Sequence, residues 1–160
     1  MQKQRLKGRQ KKCAGCALHK SEKEIAIRSE SVNLATVRNH IREIGESCNL
    51  SERQIFDLQV AVGEATANAI EHGSPVGPDN IVLIKARCDG KALVIVVKDQ
   101  GKFKRRMPDP GIEQTNFRGR GIPLMLALMD RVTIDEGKEG TSVILMKKIV
   151  NDDSNGVANE

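Results

Sequence analysis

Four short segments combine residue types that phosphate chemistry needs. In "EATANAIEHG", Glu64, Asn68 and His72 fall four apart and so share one face of a helix. An Asn side-chain oxygen is a hard ligand suited to Mg2+, an ion that keeps several waters and binds substrate phosphates. A carboxylate one turn away can accept a proton from a hydroxyl nucleophile or orient a water. A solvated helix face would carry the same triplet, so spacing alone does not decide. In "VIVVKDQGKF" (94–103), an acid at the end of an apolar strand puts Asp99 at the rim of a sheet. There it can accept a hydrogen bond from an exocyclic amine, which adenine offers and guanine replaces with an acceptor. Gly101 would let a ring approach the backbone. Strand-Asp-x-Gly is also an ordinary turn.

The third segment is "FRGRGIPLMLALMD" (117–130), where Gly119 and Gly121 precede a short helix and Arg118 and Arg120 add positive charge. Exposed amides at a helix N-terminus, with the dipole behind them, form an anion site. No G-x-G-x-x-G follows the first strand and no G-K-[ST] appears, so neither a dinucleotide fingerprint nor a Walker loop is present. The fourth is "EGTSVILMKK" (139–148). Its Thr141 would place a hydroxyl beside Asp99 if the two strands are neighbours; a β-turn with an edge Thr is the plain alternative.

The elements that must position these groups follow from periodicity. "KEIAIR" (23–28) alternates through Ile25 and Ile27 and reads as a strand. Leu34, Val37, Ile41 and Ile44 step by three and four, which predicts a helix over 33–47 with one buried stripe. Ser51 and Gln54 form a capping box that starts a second helix over 52–72, with Ile55, Leu58, Val62, Ala65 and Ala69 inward. "GSPVGPDN" (73–80) is a loop by composition. Strands follow at 81–87 and 92–98, joined by a hairpin at Asp89-Gly90. Residues 99–120 have no clean period and form a long connection of the kind that is functional or mobile. A nearly all-apolar helix (122–130) has Pro123 in its first turn, and strands at 131–135 and 142–149 close the domain. The expected architecture is α/β (α+β): a two-layer sandwich of about three helices on a mixed sheet of about five strands.

Composition narrows the function classes. The formal charge of +5 comes from 26 basic and 21 acidic residues. Seven of the basic groups lie in residues 1–20, which hold no acid, whereas residues 21–150 balance 19 basic against 18 acidic. The excess is therefore a basic arm rather than a nucleic-acid-binding body. With no Trp, no Tyr and three Phe, there is no aromatic platform for stacking bases. The longest apolar stretch, Ile122 to Met129, is too short to span a membrane, which takes roughly 20 residues. The basic start lacks an apolar core, so no secretory signal is expected, and the four Cys are expected to be reduced thiols in the cytoplasm.

Taken in order and at these separations, the four segments resemble the four boxes of the GHKL (Bergerat-fold) ATP-binding domains over about residues 23–149. The likeness is closest to the small anti-sigma-factor serine-protein kinases. "VGEATANAIEHG" looks like that family's N box, "VVKDQGKF" its first glycine box, "GRGIPLMLALMDRV" its second and "GTSVILMKK" its last strand. Neither the phosphoacceptor helix of a histidine kinase nor the transducer of a gyrase-type chain is expected. The resemblance implies that Asn68 binds Mg2+, that Glu64 is the candidate general base, and that Asp99 reads the adenine amine with Gly101 beside the ring and Thr141 in support. Gly119, Arg120 and Gly121 would line the ATP phosphates, 102–118 would be the lid, and Arg118 would touch the outer phosphates. It also implies a sigma factor as partner, an antagonist protein as phosphoacceptor, and a homodimer.

Three features depart from the pattern. Phe103 stands at the second glycine of D-x-G-x-G, as is common in the anti-sigma branch. Pro123 is unusual there and could distort the phosphate loop, and the lid is short. These departures favour ATP binding over turnover, and the alternative is a nucleotide-binding partner-switching regulator without kinase activity. The family does not normally carry the arm of residues 1–21, and residues 151–160 form a polar tail. Cys13, Cys16 and His19 give C-x2-C-x2-H, one ligand short of a structural zinc site. Cys48, Cys88 or His40 could complete a Zn2+ site, but nothing in the sequence places them nearby. A dithiol switch, or a tail with incidental cysteines, fits the same residues.

Overall fold

A computed structural model describes residues 21–101 and 121–150. The arm, the lid and the tail expected from sequence lie outside the described residues. The elements run β1 (Ser21–Arg28), α1 (Leu34–Ser47), α2 (Glu52–His72), β2 (Ile81–Cys88), β3 (Ala92–Lys98), α3 (Gly121–Leu128), β4 (Arg131–Gly137) and β5 (Gly140–Lys148), with single 3-10 turns before α1 and β2. The three helices and five strands form the expected two-layer sandwich.

The stripe and the cap read from sequence both produce α2. Ser51 Oγ accepts from the Gln54 N–H, and Gln54 Oε1 accepts from the Ser51 N–H. Ile55, Leu58, Val62, Ala65 and Ala69 are all buried. Against this stripe α1 brings Val37, Ile41 and Ile44, and the sheet brings Ile84, Leu93, Ile95 and Leu145. Close approach of the helices fixes Gly45, because a Cβ there would lie 2.7 Å from Ile55 Cγ1.

The sheet order is β1-β2-β3-β5-β4, and every neighbouring pair is antiparallel, so the mixed sheet expected from sequence is corrected. The α3 crossover does return β4 in the same direction as β3. The hairpin after β4, however, inserts β5 between them, and β5 pairs antiparallel with both. The β2–β3 hairpin turns at Asp89-Gly90 as read. Gly90 takes φ +81°, and Asp89 Oδ1 accepts from the Lys91 and Ala92 N–H groups, which holds its carboxyl below the usual range.

Pro123 does not distort α3. It lies in the first turn, where a missing N–H costs nothing, and the helix runs from Gly121 through Leu128. The far end of α3 is tied down by charge: Lys147 Nζ donates to Leu128 O at 2.6 Å and pairs with Asp57 Oδ2 of α2 at 3.0 Å. Cys48 and Cys88 are free, buried thiols. Burial and the neighbouring Cys88 thiol push the Cys48 thiol up to about 12. No helix among the described residues is long and apolar enough to cross a membrane.

Candidate functional site

At the end of β3 the chain leaves the sheet with Asp99, whose burial is imposed from three sides. Its N–H donates to Thr141 O at 2.9 Å, so Thr141 meets it through the main chain of β5. Asp99 Oδ1 accepts from the N–H of Gly101 at 2.9 Å and from that of Thr141 at 3.0 Å. Two amide donors on one oxygen orient the carboxylate and lower its pKa, but burial outweighs them and the carboxyl titrates above its ordinary value.

Three glycines make this burial possible. A Cβ on Gly73 would overlap the Asp99 carboxylate, one on Gly101 would overlap the main chain of Gly73, and one on Gly140 would overlap the Asp99 carbonyl. Gly140 also takes φ +137°. Gly73 is the position that sequence reasoning left without a role. Its φ is −97°, so no backbone signal marks it; packing against a residue 26 positions later demands the glycine. The loop 73–80 is anchored beside it: Ser74 Oγ bonds to Ser29 Oγ and Ala69 O, and buried Asn80 donates to Gln100 Oε1, next to Asp99.

Asp99 and Thr141 border a narrow, mostly apolar pocket. Its walls come from α2 (Ala65, Asn68, Ala69), α3 (Ile122, Met125) and the strands (Val97, Ile134, Val143). An apolar slot with one oriented carboxylate suits a flat, weakly polar ring that carries an amine donor.

The polar edge of the slot is where α2 meets the start of α3. A Cβ on Gly121 would lie 2.9 Å from Glu64 Oε2 and 3.4 Å from Asn68 Nδ2, so the first residue of α3 sits against both. Positive dipole at that N-terminus, an amide oxygen donor and a carboxylate thus share one corner, which fits a phosphate chain with Mg2+. His72 lies at the exposed end of the same helix face, with Nε2 3.7 Å from Glu71 Oε2.

The structure therefore brings together Glu64, Asn68, Asp99, Gly101, Gly121 and Thr141. Arg118, Gly119 and Arg120, and likewise Cys13, Cys16 and His19, lie outside the described residues. No group of three or more His, Cys, Asp or Glu that could hold a metal occurs among the described residues. His40 cannot share an ion with Cys48, since eight residues along α1 separate them by about 12 Å.

A family model described as the histidine kinase-like ATPase domain matches residues 27–147. An anti-sigma F factor of Clostridium novyi is 29% identical over 131 residues, covering 76% of this chain and 90% of that protein. The serine-protein kinase RsbW of Bacillus pumilus is 28% identical over 136 residues, covering 78% and 83%. A crystal structure of the RsbU and RsbW domains of a Mycobacterium tuberculosis protein superposes with a TM-score of 0.62 at 20% identity. It covers 81% of this chain, which spans 32% of that longer one, and the likeness is one of fold.

Proposed function

The chain belongs to the histidine kinase-like ATPase family, and from that premise we propose that it is an ATP-binding anti-sigma-factor serine/threonine-protein kinase. It holds a sigma factor in one state and phosphorylates a Ser or Thr on a small antagonist protein in the other. The observation that carries this reading is one pocket lined by Asp99 and Asn68, with Gly121 at the start of α3 set against Asn68 and Glu64 at its edge. The anti-sigma F factor and serine-protein kinase relatives support the choice of partners.

Within this reading Asp99 accepts a hydrogen bond from the adenine amine, while Ala69, Val97 and Met125 exclude water from the ring. Asn68 holds Mg2+, and the N-terminus of α3 with Gly119, Arg118 and Arg120 takes the phosphates. Mg2+, when bound, neutralises charge that develops on the phosphate oxygens. Glu64, one turn from Asn68, accepts the proton of the attacking hydroxyl. Phosphoryl transfer asks mainly for positioning and charge neutralisation, and these groups supply both.

A homodimer completes the proposal. Val94, Val96, Ile144 and Met146 are half-buried neighbours on the face of the sheet turned away from the helices, and a second copy would cover them.

The test is transfer of γ-labelled phosphate from Mg2+-ATP to a Ser of the antagonist. Glu64→Ala is expected to keep ATP binding and slow transfer by about 10²–10⁴-fold, the usual worth of a general base. Asn68→Ala is expected to weaken Mg2+-ATP binding itself. Transfer by Glu64→Ala at the unaltered rate would remove Glu64 as the base. Tight ATP binding by the unaltered chain without any transfer would mark a partner-switching module instead.

A further inference from the structure

Asn80 is only 4% exposed, and the nucleotide reading leaves it without a task. Every polar group it has is engaged. Its N–H donates to Gly77 O at 3.0 Å, and its carbonyl accepts from the Ser29 N–H at 2.9 Å. Side-chain Oδ1 accepts from the Val76 N–H at 2.7 Å, and Nδ2 donates to Gln100 Oε1 at 2.5 Å. The Ile81 N–H, a donor that cannot flip, meets the same Gln100 oxygen at 3.4 Å and fixes which end of that amide turns inward. Ser29 also ties down the other end of the loop, since its Oγ bonds to Ser74 Oγ, which reaches Ala69 O of α2. The ends of α2 and β1 and the start of β2 are thus joined, through Asn80, to one side chain in the turn after β3.

That side chain is exposed, and a glutamine held in one place loses rotamer freedom that solvent would leave it. The turn accounts for the restraint. The Gly101 N–H is one of the two donors that aim Asp99 Oδ1. It belongs to the planar peptide that joins Gln100 to Gly101, so the plane of that peptide decides where the hydrogen points. On its other side Gly101 packs on the main chain of Gly73. Two facing glycines approach closely but have no side chain to key the contact, and the Gln100 amide supplies the missing anchor.

We propose that Asn80 and Gln100 are positioning residues for base recognition: their amide–amide bond holds the 100–101 peptide so that Asp99 faces the amine of a bound purine. The inference rests on the nucleotide reading above and deepens it, by assigning base selectivity to a link outside the pocket. Neither residue is among those that line the pocket, so each acts through Asp99. Adenine presents an amine to a carboxylate there, whereas guanine presents a carbonyl oxygen. Loosening the carboxylate therefore costs ATP a hydrogen bond that GTP never makes.

The experiment is calorimetric titration of the full chain and its variants with Mg2+-ATP and with Mg2+-GTP, with the ligand-free Tm measured alongside. Gln100→Met keeps the side-chain length and removes the acceptor at an exposed position. It is expected to weaken ATP binding about tenfold, the weight of one hydrogen bond, and to leave GTP binding and the Tm unchanged. Gln100→Glu keeps an acceptor for Asn80 and is expected to restore the preference for ATP. Asn80→Ala is expected to lose the same preference with a lower Tm, because it also strands the Val76 N–H. An ATP-to-GTP ratio in Gln100→Met equal to that of the unaltered chain would overturn the proposal. So would an equal weakening of both nucleotides, which marks a looser fold rather than a lost aim, or no recovery in Gln100→Glu. Binding of neither nucleotide by the unaltered chain would remove the nucleotide reading and this inference together. ATP binding that Asp99→Asn weakens and Gln100→Met does not would remove the inference alone.

Discussion

Asp99 carries two opposing demands. Its proposed recognition of an amine needs the charged form, while burial favours the neutral one and raises its pKa despite two amide donors. The folded chain therefore takes up a proton more readily than the unfolded chain. Stability of the ligand-free protein from this group is greatest at low pH and declines as pH rises between the unfolded and folded pKa values. ATP affinity runs the other way and weakens as pH falls through the raised folded value. Calorimetric titration at a series of pH values should show this loss beginning above the range of an ordinary exposed Asp, about 3.9. Asp99→Asn should bind ATP weakly with no such step; an identical pH profile in that variant would detach the effect from Asp99. The places of Asp99 at a strand end and of Asn68 and Glu64 on one helix face were legible in the sequence from strand alternation and four-residue spacing, whereas their proposed roles come from the family resemblance. Gly73 was not legible, since a glycine after a helix reads as a stop signal and its partner is another turn far along the chain.

At the scale of elements, α3 must present its first residue to Glu64 and Asn68, and its other end is held by Lys147. The Lys147–Asp57 pair is largely buried, with side-chain exposures of 15% and 13%. Removing one partner strands a charge, so Lys147→Ala should cost about 3 kcal/mol in urea unfolding. A cost of about 0.5 kcal/mol or less would class the pair with ordinary surface bridges. Replacing both residues by apolar ones of similar size should recover most of the loss. Sequence gave α2 in full because cap and stripe agree over its whole length. It could not give this clamp, because Asp57 and Lys147 lie 90 residues apart and each alone reads as surface charge. The mixed sheet was misread for a similar reason: local pattern shows that β4 follows a crossover but not that β5 slips between β3 and β4.

For the whole molecule, the charge excess lies in residues 1–20, while residues 21–150 are nearly balanced. The proposed nucleotide site lies on the helix side of the sheet, and the proposed second copy would cover the other side. Ile144→Glu should shift the sedimentation coefficient from dimer to monomer while leaving the cavity intact; an unchanged dimer would place the interface elsewhere. The central claim is that the cavity between α2, α3 and β3 binds Mg2+-ATP through Asp99. Thermal unfolding with and without Mg2+-ATP tests it most directly, because a ligand of the folded state must stabilise it. At a hundredfold excess over Kd the account predicts about 2.7 kcal/mol of added stability, a rise of several degrees in Tm. That rise should be small with Mg2+-GTP and absent in Asp99→Asn. A Tm that Mg2+-ATP does not move, or moves equally in Asp99→Asn, would contradict it.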